Sequence, residues 1–161
     1  MIGLIKGFER LIKMDSKILE FLTGGVDSQG RTHSFILEQS DQWLEDTHDY
    51  IQWLFPLDEL SGSKRASPVL DDEAIILIQS SDKAQQSLRL AASRMRKFWM
   101  QNQHWVTRYN HNHLRITRAI KSLRLLVSDD DADQMKQWLV SNLGPNIKVI
   151  DSKAINYWKL A

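Results

Sequence analysis

The 161-residue chain has no cysteine, which removes disulfides, thiolate metal sites and cysteine nucleophiles from the functions open to it. Three prolines and seven glycines leave little room for long linkers, and no repeat or low-complexity tract is present. No apolar run approaches the roughly 18 residues of a membrane span. The N-terminal MIGLIKGFERLIKM interrupts Ile2, Leu4, Ile5, Phe8, Leu11 and Ile12 with Lys6, Glu9, Arg10 and Lys13. Those charges break a signal-peptide core. Residues 1–14 read as an amphipathic segment docked on the domain, with a membrane-surface helix as the alternative. A cytoplasmic protein without a transmembrane segment is the resulting expectation.

Acidic residues are also missing where they would be expected. Residues 83–128 hold 10 basic side chains and no carboxylate, whereas residues 1–82 carry a net charge of −8 and residues 129–161 one of −1. The whole chain is nearly neutral at +1, so its overall field is too weak to favour sequence-specific DNA reading. Pairing of the acidic first half with the basic centre is the leading account. The alternative is a nucleic-acid or phosphate site using Arg89, Arg96, Arg108, Lys121 and Arg124.

Hydrophobic spacing is helical almost throughout, which predicts an all-α, single-domain bundle of about six to eight helices over residues 1–161. Asp15 or Ser16 starts a helix through Ile18, Leu19 and Leu22, and Gly24–Gly25 ends it. A short helix from Thr32 follows. One helix is then expected from Ser40 or Asp41 to Phe55, where Pro56 stops it. Its core face is Trp43, Leu44, Thr47, Tyr50, Ile51 and Leu54, and its opposite ridge is Glu45, His48 and Gln52. After the polar loop 58–70, Asp71 or Asp72 caps a helix carrying EAIILIQ. A long helix over 82–101 buries Ala84, Leu88, Ala91, Ala92, Met95, Phe98 and Trp99. The next, over 112–127, has a second apolar face at Leu114 and Leu125. The aspartate run 129–131 lacks the spaced ligands of a calcium loop and fits a helix N-terminus. NIKVI, residues 146–150, is the one candidate strand, and a last helix over 152–160 packs through Ile155, Tyr157 and Trp158.

Catalytic signatures are scarce. Hydrolase elbows, phosphate-cradling loops and dinucleotide glycine patterns are absent. His48 beside Asp49 invites a general-base reading, and His113 is a second candidate, yet no nucleophile stands in an activating motif. His111 and His113 lie two apart, about 200° around a helix, so they share a metal only from an extended or turn segment. With no nearby acid as a third ligand, a polar turn capped by Asn110 or Asn112 fits better. The expectation is a protein without catalytic residues, metal or cofactor, binding a peptide or an anionic ligand.

WLEDTHDYIQWLFPL (43–57) and HNHLRITRAIKSLRLL (111–126) closely resemble signature segments of the opioid growth factor receptor conserved domain, in order, separation and helical setting. The resemblance covers residues 15–160 and is specific in these two blocks. Matches fall at His48, Tyr50, Gln52, Trp53, Phe55, Pro56, His113, Leu114, Arg115, Thr117, Arg118 and Ser122. The resemblance implies an all-helical domain. In animal members it implies enkephalin-peptide binding and restraint of cell growth, with a nuclear or perinuclear location. Lacking a long polar tail, repeats and a basic import segment, this chain reads as a short, stand-alone, bacterial member whose natural ligand is not named by its sequence. The ligand site expected from the two blocks is Glu45, His48, Gln52, Trp53, His111, His113, Arg115 and Arg118. In it the ridge faces the arginines, one arginine is left for an anionic group, and Trp53 forms a wall.

Overall fold

The computed structural model describes residues 17–60 and 67–161. The amphipathic reading of 1–14, the cap at Asp15 or Ser16 and the middle of the 58–70 loop lie outside the described residues. Among the described residues all regular structure is helical, with two isolated β-bridges and no sheet. The chain forms two compact units, Met1–Leu88 and Arg89–Ala161. Their boundary falls inside a long helix rather than at the polar loop.

In the first unit, α1 (described over 17–22) ends in a Schellman turn. Gly24 has φ +115°, Gly25 N–H donates to Glu20 O at 2.6 Å and Gly24 N–H to Phe21 O at 3.4 Å. A Cβ on Gly25 would lie 2.9 Å from the Glu20 carbonyl oxygen, so this position admits only glycine without a backbone shift. Thr32 caps α2 (His33–Leu37) and Ser40 caps α3 (Asp41–Asp46), each by accepting a backbone N–H with its hydroxyl. Then come α4 (Ile51–Leu54), α5 (Asp72–Gln79, capped by Asp71) and α6 (Asp82–Gln101). Ser81 Oγ accepts from Ala84 N at the start of α6. All seven predicted core residues of α6 are buried.

The single helix expected over 41–55 is two short ones. Thr47 is extended, at φ −93° and ψ 129°, and ends α3. In a continuous helix the Leu44 carbonyl would face the His48 N–H. Here the buried Tyr50 hydroxyl donates to that carbonyl at 2.8 Å, while Asp49 turns toward Arg31. A side-chain bond and an ion pair thus stabilise the break. This split carries the helix count to nine among the described residues, above the expected range. It also dissolves the ridge: Glu45 ends up in α3, His48 in the break, and Gln52 buried in α4.

The second unit contains α7 (His111–Leu126), α8 (Asp129–Leu143) and α9 (Ser152–Leu160), with α7 packed on both others. A 3-10 turn, Gln103–Trp105, precedes α7. The expected strand NIKVI is instead part of a 3-10 turn, Gly144–Val149, after Gly144 at φ +50°. Pro145 pre-sets helical φ at its start, and Ile150 N–H bonds back to Ile147 O, so the segment satisfies itself locally without a partner strand. The last helix buries Trp158 as expected, but Tyr157 is 43% exposed because it occupies the opposite side of α9.

Replacing Tyr50 by Phe removes the bond that holds the α3–α4 break while keeping the ring. The expected loss is about 1–2 kcal/mol of unfolding free energy, measured by urea denaturation.

Candidate functional site

The second signature segment begins at the N-terminus of α7, where the structure gathers His111, His113 and Arg115 around Asn112. Asn110 is extended and its Oδ1 accepts the Asn112 N–H at 2.9 Å, making Asn110 the cap. The histidines therefore lie in the first helical turn rather than in a polar turn before it, and they diverge. His111 is exposed; His113 is buried.

Asn112 is fully buried and uses both halves of its amide. Its Oδ1 accepts from Trp99 Nε1 at 3.2 Å and from Arg115 Nη1 at 3.4 Å, and its Nδ2 donates to Asn110 Oδ1 at 3.1 Å. His113 Nε2 lies 3.0 Å from the Trp105 carbonyl, which can only accept, so Nε2 carries the proton. Its ring stands edge-on to Trp105 at 6.2 Å and to Trp158 at 5.8 Å. Trp105 Nε1 donates to Trp99 O at 2.8 Å, and Trp158 Nε1 to His113 O at 3.1 Å. Three tryptophans thus join the end of α6, the 3-10 turn, α7 and α9, and each indole N–H is satisfied, as burial requires. Trp99, Trp105, Asn112 and Trp158 were absent from the site expected from sequence. The clue was there: tryptophans bury only with a partner for N–H, and Asn112 is a polar residue within reach.

Arg118, one turn beyond Arg115, is half-buried. The residues proposed for a separate anion site are largely engaged within the second unit. Arg89 makes a two-pronged pair with Asp131 at 3.1 and 3.2 Å. Arg124 reaches Asp129 at 2.8 Å and Asp133 at 2.6 Å. Arg108 lies 3.9 Å from Asp151 and over the Tyr109 ring. Arg96 contributes positive charge near Asp131, and Lys121 is half-buried on α7. Ser128 caps α8 and donates to Asp131 Oδ2 at 2.6 Å, so the aspartate run serves the helix start and the arginines.

In the first unit, Trp53 is buried with its ring 5.5 Å from Phe21, a core residue rather than a wall. In a continuous helix Trp53 would project off the core face, and the break rotates it inward. Arg31, also missed, joins Asp27 at 2.7 Å and Asp49 at 2.9 Å and lies 5.6 Å from the centre of the Trp43 ring. Burial alone would lower its pKa, but the two aspartates outweigh that and raise it. Among the described residues no group of three or more His, Cys, Asp or Glu could hold a metal ion.

A model of the opioid growth factor receptor (OGFr) conserved region matches residues 31–161. The opioid growth factor receptor of Homo sapiens is 36% identical over a region covering 50% of this chain and 14% of the human protein. The chain therefore matches about one seventh of that relative's length. No solved structure matches it. Among the described residues no helix is long and apolar enough to cross a membrane.

Burial pushes the His113 imidazole below its ordinary 6.5, with the Trp105 carbonyl and Asp151 opposing in part. His33 is pushed the same way by burial, against a bond to the Ser87 backbone. Both histidines hold a proton less tightly folded than unfolded, so their contribution is full above about 6.5 and is lost as pH falls from there to the folded pKa. The urea midpoint should drop between about pH 7 and pH 5, and by less in His113→Gln. Asp131 and Asp133, held below 3.8 by Arg89 and Arg124, act only in stronger acid. Separately, Asn112→Ala strands the Trp99 N–H and should cost about 2–4 kcal/mol in the same measurement.

Proposed function

The chain belongs to the opioid growth factor receptor conserved-region family, and on that premise we propose that it is a non-enzymatic helical binding module for a peptide or anionic ligand. The carrying observation is that the match, residues 31–161, includes both signature segments. The matching relative is named a receptor, which supports a ligand-binding role here. The contact residues proposed are His111 and Arg118 on α7, with His113 and Arg115 as buried supports. The protein works in the cytoplasm in this reading.

The state of the histidines supports binding over catalysis. His113 is clamped by the Trp105 carbonyl and two indole rings, so it lacks the freedom of a general base. Asp49, which a His48–acid pair would need, accepts from Arg31. Arg118, half-buried on α7, supplies planar donors suited to a carboxylate or phosphate, while the buried Arg115 donates to Asn112.

A thermal-shift screen tests the proposal, with inorganic phosphate, nucleotides, single- and double-stranded nucleic acid and an enkephalin pentapeptide as probes. A ligand at 100 times its dissociation constant adds roughly 2.7 kcal/mol to the folded state. Phosphate or the pentapeptide should raise the melting temperature, and Arg118→Ala should abolish that shift. A shift with nucleic acid alone, steeply reduced by salt, would replace this reading with a nucleic-acid binder. A shift left intact by Arg118→Ala would remove α7 from the site.

A further inference from the structure

Phe35 on α2 is 46% exposed, a large apolar side chain open to solvent. Its ring stands edge-on to Trp43 at 6.4 Å, and Trp43 lies against Tyr50 at 5.4 Å. The Arg31 guanidinium, fixed by Asp27 and Asp49, covers Trp43 at 5.6 Å. Hydroxyl caps from Thr32 and Ser40 fix the starts of α2 and α3, and Gln39 Nε2 donates to the Phe35 carbonyl at 2.9 Å. The aromatic ladder is thus packed and capped along its length, and its outer rung faces water.

Beyond Arg31, which is paired with Asp27 and Asp49, the charged residues along α2 and α3 are acidic. Residues 33–46 contain Glu38, Asp41, Glu45 and Asp46 and no lysine or arginine. Glu38 lies three residues from Phe35, beside it at the end of α2, and both Glu38 and Asp46 are exposed. Such a surface repels phosphate and attracts cations. The ladder already accepts one guanidinium, that of Arg31, which is the chemistry an incoming basic side chain would repeat.

We propose that this face of α2 and α3 docks a basic segment of a partner protein, placing an apolar side chain on Phe35 and its lysines or arginines against Glu38 and Asp46. The surface differs in place and in sign of charge from the arginines of α7, and it stands whether or not α7 binds a ligand.

The test is calorimetric titration of the full chain with a short peptide of alternating arginine and leucine. A matched glutamate–leucine peptide is the control, and amide NMR shifts locate the binding. The arginine peptide alone should bind, more weakly as salt rises, with shifts concentrated in residues 33–46. Phe35→Ala should weaken it about tenfold, as truncating an aromatic anchor does, and Phe35→Trp should restore it. Glu38→Lys leaves the ladder intact and should weaken binding as well, which keeps the test decisive if Phe35→Ala disturbs folding. No binding of the arginine peptide, equal binding of the glutamate peptide, affinity unchanged by both Phe35→Ala and Glu38→Lys, or shifts confined to residues outside 33–46 would each overturn the proposal.

Discussion

A fully buried amide must find partners for its oxygen and its nitrogen, and Asn112 finds them in three side chains that belong to different turns of the second unit. Leaving either half unmet in a low-dielectric interior costs more than an average hydrogen bond returns. This requirement fixes where the end of α6 lies against the start of α7. Trp99, once bound to Asn112, offers its own carbonyl to Trp105, whose carbonyl in turn receives His113. His113 then presents its backbone oxygen to Trp158 on α9. Each bond is ordinary, but the chain of them admits one arrangement, which is how a small helical unit acquires a unique interior.

Arg31 has the corresponding part in the first unit. With no other lysine or arginine between residues 18 and 63, it ties the turn at Asp27 to the α3–α4 break at Asp49 and lies over the Trp43 ring between them. Charge here serves geometry more than stability: exposed ion pairs contribute about 0–1 kcal/mol each. The half-buried, two-partner arrangement around Arg31 instead selects where the chain turns. The same distinction applies to Arg89 and Arg124, whose aspartate partners come from the first turns of α8 and are already placed by the helix start.

Both signature segments acquire a physical rationale from these contacts. Tyr50 closes the break through Leu44, Trp53 fills the core beside Phe21, and the residues from Asn110 to Arg115 build the Asn112 cluster. Much of the signature therefore encodes architecture. Among the matched residues, His48 and Leu114 are exposed. The family motif is in this fold first a scaffold.

Spacing along the sequence was enough to establish the all-helical class, the core stripe of α6, the Gly24–Gly25 stop, caps narrowed to Asp71 or Asp72 and to Asn110 or Asn112, and the aspartate run as a helix N-terminus. Those features depend on neighbours within about four residues, the range over which helix periodicity and capping act. The break at Thr47–Tyr50, the inward turn of Trp53, the 3-10 turn that replaced a strand and the Asn112 cluster were settled otherwise. Tyr50 and Trp43 fit a continuous amphipathic helix as well as they fit two short ones. What separates the alternatives is a hydroxyl reaching back six residues and an arginine reaching forward eighteen. The Asn112 cluster likewise rests on a contact 45 residues away. Period and propensity are blind to such partners, and only the folded chain decides them, because only there do distant donors and acceptors compete for the same backbone groups.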